Sequence, residues 1–209
     1  METEKETGRM EAFSDGVFAI AITLLILDIK VPTAAFVHQK HMALLAALGH
    51  QWPGYLAYIT SFLTILIMWV NHHKMFQQIR RCDHFFLILN GFLLLGVTTV
   101  PFPTALLAEY IREPGANAKV AALAYSGLFI FIGIIFHMLW RYAATGNRLL
   151  GSNHDPVAVR AITQQYRFGP VLYVVTFLLA FVSVPVSVAA NLLLAVFFAL
   201  PGANNSSTN

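Results

Sequence analysis

The stretch RMEAFSDGVFAIAITLLIL, Arg9 to Leu27, decides the class of the fold. It opens with Arg9, Ser14 and Asp15, and the twelve residues from Gly16 to Leu27 then carry no charge. A helix needs about 20 mostly apolar residues, at 1.5 Å rise each, to cross roughly 30 Å of hydrocarbon. This stretch reads as a membrane span with a polar doorway.

The rest of the chain agrees. Of its 209 residues 57% are hydrophobic and 11% charged, against roughly 25% charged in an ordinary soluble domain. Further apolar windows make one all-α integral membrane domain over residues 1–209, with six expected spans at about 11–30, 52–73, 84–105, 119–141, 161–184 and 185–201. The last two come from one long uncharged stretch. Ser183-Val-Pro-Val-Ser187 in its middle supplies a helix break, because proline removes an intrahelical donor, and we expect a tight joint at Pro185. The first ten residues lack the features of a cleavable signal, so the N-terminus is expected to remain on the protein.

Lys and Arg fall unevenly among the loops. Lys5, Arg9, Lys74, Arg80, Arg81, Arg141, Arg148, Arg160 and Arg167 lie on one side, and Lys30, Lys40, Arg112 and Lys119 on the other. Positive loops stay inside, which makes both termini cytoplasmic. The Asn204-Asn205-Ser206 sequon of the tail is then a chance match. The net charge of +3 reads as topology, not as nucleic-acid binding. The single Cys82 excludes a disulfide within the chain.

The spans contain few ionisable groups. Pumps and carriers keep buried Asp, Glu, Lys or His at mid-membrane because such groups are costly there and are retained for work. Here Asp15 and Asp28 stand about 20 Å apart at opposite ends of the first helix, and His137 is the most embedded titratable group. A lone histidine at that depth reads as hydrogen-bonded structure. Nucleophile elbows and zinc-protease motifs are missing, so the chain is not expected to be an enzyme, and no cofactor is implied. His72 and His73 point about 100° apart on a helix and are poorly placed to share a metal ion.

With this topology, Phe13-Ser14-Asp15 at the start of the first span and Trp69-Val-Asn71-His72-His73 at the end of the second lie at one membrane depth. Trp69, His72 and His73 are spaced i, i+3 and i+4, on one side of their helix. One reading is a polar network in which Asp15 and Ser14 bond to the second helix, with Arg9 contributing. The other has Arg9 and Trp69 as interfacial anchors and Asp15 complementing the helix dipole.

The run Arg9-x-x-x-Phe13-Ser14-Asp15 together with Trp69-x-x-His72-His73 resembles the signature of the transmembrane protein 175 family of potassium channels. The resemblance covers essentially the whole chain, and a single set of six spans is similar to the bacterial members. It implies a homotetramer whose first helix lines a central pore, with Ile20, Leu24 and Leu27 as an apolar constriction and Thr23 as its polar layer. It also implies passive conduction of potassium ions across the plasma membrane. Asp28 would stand at the outer mouth as an acidic ring, unless it pairs with Lys30. A proton-permeable channel or proton-coupled cation carrier, drawing on His72, His73 and His137, is the competing transport reading. A non-conducting membrane assembly protein is the third.

Overall fold

The computed structural model describes residues 2–113 and 115–199, with side chains from residue 7 onward. The tail with its sequon, and the final residues of the expected sixth span, lie outside the described residues. Nine α-helices make up the described fold: α1 (Glu2–Leu24), α2 (Ala34–Gln39), α3 (Leu44–His50), α4 (Trp52–Gln78), α5 (His84–Thr99), α6 (Pro101–Tyr110), α7 (Ala116–Ala144), α8 (Pro156–Val182) and α9 (Val184–Ala199). A single antiparallel bridge between Ile79 and Leu150 is the only β pairing among them.

Among the described residues, five helical segments are long and apolar enough to cross a membrane: Thr7–Asp28, Trp52–Gln78, His84–Tyr110, Ala116–Asn147 and Pro156–Val182. Helix α9 is apolar but has 16 residues, about 24 Å of helix against roughly 30 Å of hydrocarbon. The third span continues through α5 into α6. Pro101 opens α6 at a position where its missing N–H breaks no bond that a helix start would make.

The joint before α9 falls two residues earlier than the sequence suggests. Ser183 is extended (φ −156°, ψ 118°) and ends α8, while Pro185 sits inside the first turn of α9. Proline is tolerated in a first turn, so it marks the start of the new helix and not the break itself. The hinge carbonyl is still used, because the Ser187 N–H donates to Ser183 O at 3.0 Å.

Helices α4 and α7 are the inner members of the bundle. α4 packs against α1, α6 and α9, and α7 against α5, α6, α8 and α9. α1 sits at the edge, touching α4 and α5 on one side only. Its inward residues, Thr7, Met10, Ser14, Phe18, Ala21 and Leu25, are all buried and recur every three or four positions, as one helical face requires. The opposite face is left uncovered. Beyond Leu24 the helix tightens into a 3-10 turn, Leu25–Asp28, and α2 and α3 then lead across to α4.

Candidate functional site

Two rows of side chains join α1 to α4. The helices run antiparallel, so residues four apart on one meet residues four apart on the other. Glu11 and Asp15 therefore face His73 and Trp69. The Trp69 indole N–H donates to Asp15 Oδ1 at 2.8 Å, and His73 Nδ1 stands 2.9 Å from Glu11 Oε1. Trp69 and His73 stack on each other, with ring centroids 6.2 Å apart. Gln77 Nε2 reaches the other ring nitrogen of His73 at 3.2 Å.

His72 leaves this face and turns into the bundle, where it is fully buried. Its Nε2 lies 3.0 Å from Asn90 Oδ1 on α5, and Asn90 Nδ2 donates to Ser14 Oγ at 2.9 Å. The Ser14 hydroxyl donates in turn to Met10 O at 2.8 Å. Each proton in this chain has one consistent direction. Because the Asn90 oxygen can only accept, the histidine carries its proton on Nε2. His72 Nδ1 is then a bare, buried acceptor without a partner, on a ring whose centroid lies 5.4 and 4.3 Å from those of Phe18 and Phe76.

Three of the residues singled out at this doorway stand elsewhere. Arg9 is exposed and makes no hydrogen bond or ion pair among the described residues, and Phe13 is 66% exposed. Asn71 faces away from α1, donating from Nδ2 to Phe198 O on α9 at 3.3 Å. Asn90 and Glu11 are the members that the sequence reading omitted. Asn90 is the one amide in the otherwise apolar run from Phe85 to Leu95, and that isolation was the available signal.

Of His72 and His137, His72 is the more enclosed by the fold. His137 lies partly buried, with Nδ1 3.0 Å from Tyr166 O. The cause is Pro170, inside α8. Proline has no N–H, so the carbonyl four residues before it, that of Tyr166, has no intrahelical donor. The imidazole N–H takes that donor's place.

The uncovered face of α1 carries Ile20 at 58%, Leu24 at 43% and Leu27 at 65% exposure, with Thr23 exposed beside them. The Thr23 hydroxyl donates to Ile20 O at 2.9 Å, which leaves its lone pairs turned outward. Asp28 makes no ion pair with Lys30 among the described residues, and the Lys30 ammonium donates instead to Leu27 O at 3.2 Å. The Asp28 carboxylate is partly enclosed, with Oδ2 buried and unpartnered. It borders a polar cleft of about 360 Å³ shared with His50, Glu109 and Arg112.

A family model described as the endosomal/lysosomal potassium channel TMEM175 matches residues 9–101. That range contains both helices of the doorway and Asn90. A Chamaesiphon minutus protein named a potassium channel is 56% identical, over 94% of this chain and 95% of its own length. The crystal structure of a lysosomal potassium-selective channel TMEM175 homolog from Chamaesiphon minutus is similar with a TM-score of 0.86 at 53% identity, covering 96% of this chain and all of that one. A Bos taurus protein named the endosomal/lysosomal proton channel TMEM175 is 39% identical over 65% of this chain and 29% of its own length.

Proposed function

Because this chain belongs to the TMEM175 family, we propose that it is a leak-type potassium channel without catalytic activity. Four copies assemble around an axis lined by α1. Each copy crosses the plasma membrane six times, α9 making the last and shortest crossing, and both termini are cytoplasmic.

The observation that carries the pore assignment is the outward stripe of α1. Ile20, Leu24 and Leu27 point away from the bundle, while the back of the same helix is bonded to α4 and α5. Four such stripes enclose a narrow apolar passage, which opposes wetting unless it widens. An ion crossing it sheds part of its hydration shell, and potassium is the less tightly hydrated of the two alkali ions. The outward lone pairs of Thr23 offer partial compensation with the polarity that a cation needs. Four copies of Asp28 raise the local cation concentration at the outer mouth through their charge.

Proton permeation is the second reading, and the name of the Bos taurus relative, a proton channel, favours it. Against it, no histidine lies on the stripe: His72 is inside the bundle, His73 faces Glu11 and His137 holds the Tyr166 carbonyl.

Flux from proteoliposomes under bi-ionic conditions separates the two. Potassium flux well above sodium flux, and indifferent to a pH gradient, is the expected result. Ile20→Asn places an amide at the constriction and should raise potassium flux about tenfold or more by wetting it. Unchanged flux at matched protein level would remove Ile20 from the pore.

A further inference from the structure

Between α5 and the end of α7, on the face carrying the positive loops, lies a cleft of about 330 Å³ that the pore does not use. Its walls are of two kinds. Phe85, Leu89 and Met138 form an apolar floor that opens to the surface of the bundle, Phe85 being 51% and Met138 43% exposed. Arg141 and Arg148 close the rim, and neither guanidinium has a carboxylate partner among the described residues.

The chain takes an unusual path to put the second arginine there. After α7 the 3-10 turn Thr145–Asn147 contains two consecutive residues with positive φ, Gly146 at 64° and Asn147 at 53°. Asparagine tolerates this region better than most residues, but it is uncommon for any non-glycine residue. The turn folds Arg148 back over Tyr142, with its guanidinium carbon 4.6 Å from the ring centroid. Tyr142 is itself fixed by the bond from its hydroxyl to Asp83 Oδ2 at 2.7 Å and by the ring of Phe85 at 4.8 Å. Asp83 is the nearby acid, and both its oxygens are engaged, since Oδ1 accepts from the Phe86 N–H that begins α5. The rim therefore presents two uncompensated cations above an apolar floor, one of them held over the Tyr142 ring.

We infer that this cleft holds an anionic phospholipid of the cytoplasmic leaflet. Its phosphate lies between Arg141 and Arg148, and its acyl chain runs down past Phe85 and Met138. Guanidinium groups match phosphate oxygens in geometry, and a basic pocket between helices on the cytoplasmic side suits an anionic headgroup. A free phosphate would leave the apolar floor unused. The assignment to the cytoplasmic leaflet rests on the orientation proposed above. The binding itself does not depend on conduction.

Native mass spectrometry of the detergent-solubilised protein, titrated with phosphatidylglycerol or phosphatidylcholine of matched chains, tests it. The wild type should retain phosphatidylglycerol in preference to phosphatidylcholine, and excess inorganic phosphate should not displace it. The double substitution R141Q/R148Q should weaken retention about 30-fold, from two lost cations near a membrane surface, whereas R160Q should not. Met138→Trp, which fills the floor and keeps both charges, should weaken it too and serves if the double variant does not fold. Equal retention of both lipids, displacement by inorganic phosphate, or undiminished binding in both cleft variants would overturn the inference. Loss of binding with potassium flux intact, or the reverse, shows which of the two proposals has failed.

Discussion

Helix α1 meets α4 and α5 through polar side chains, whereas α7 meets α8 through close backbone approach and aromatic rings. At the first contact the joints are directional: Asp15 to Trp69, Ser14 to Asn90, and Asn90 to His72. At the second, Gly133 lets Tyr173 lie against the helix backbone. Lipid tails are as apolar as leucine, so helices in a bilayer gain little from hiding apolar surface against each other. Close packing and hydrogen bonds remain: the first contact relies on hydrogen bonds, and the second adds close packing to its own bonds from Trp140 to Thr163 and from His137 to Tyr166. The tightly packed side has no alternative position nearby. The bonded side is fixed where the bonds are, near the doorway, and leaves the stripe from Ile20 to Leu27 outside the network.

Substitution at the close approach of α8 to Gly133 should have a larger effect than those at the polar joints. A Cβ at position 133 would stand 3.0 Å from Tyr173 Cδ2 and 3.9 Å from the Pro170 backbone, so Gly133→Leu should cost about 3 kcal/mol through overpacking. It would be read as a lower thermal midpoint in detergent. Asn90→Leu comes next. It strands the His72 Nε2–H inside the bundle and removes the donor to Ser14, at a cost of about 2 kcal/mol, and it should also alter potassium flux because α1 loses its tie to α5. If stability fell while flux stayed at the wild-type level, the network would be a scaffold with no bearing on the pore.

Trp69→Phe keeps the ring and removes one bond. Polar contacts between membrane helices average about 0.6 kcal/mol, and a loss of that order is expected in the same unfolding assay. Glu11→Gln should change stability by less than about 0.5 kcal/mol, since the His73 and Glu11 side chains are 48% and 27% exposed and water screens them. A larger effect at Glu11 than at Trp69 would invert the ranking and place the control of α1 at its solvated end.

The extent to which the sequence reveals this design differs by residue. Asp15, Trp69 and His73 could be aligned because charges and aromatics at span ends are conspicuous and topology sets them at one depth, whereas Arg9, equally conspicuous, stands outside the network. Asn90 was passed over because a search for ionisable groups does not register an amide, although an amide supplies the donor and acceptor that join two helices at once. Asn71 shows the opposite failure. It lies within the motif by position, yet two residues from Trp69 on a helix it points to a different neighbour. The role of His137 depended on a register that is written in the chain: Pro170 follows Tyr166 by four. What the sequence could not supply was that His137, on another helix, would reach that carbonyl. The division at Ser183 instead of Pro185 follows the general preference for proline inside a first turn.

The Ile79–Leu150 bridge connects these two sides mechanically. Around it, the N–H groups of Arg80 and Arg81 both donate to Leu149 O, at 2.9 and 3.1 Å, and the Gly151 N–H donates to Gln78 O at 3.1 Å. The end of α4 and the turn after α7 are therefore clamped into one short lever arm. An unbroken series of bonds therefore runs from the end of α7 to α4, and through Trp69 and His73 to the first helix. The closely packed half of the molecule is thus tied to the half that carries the proposed pore helix.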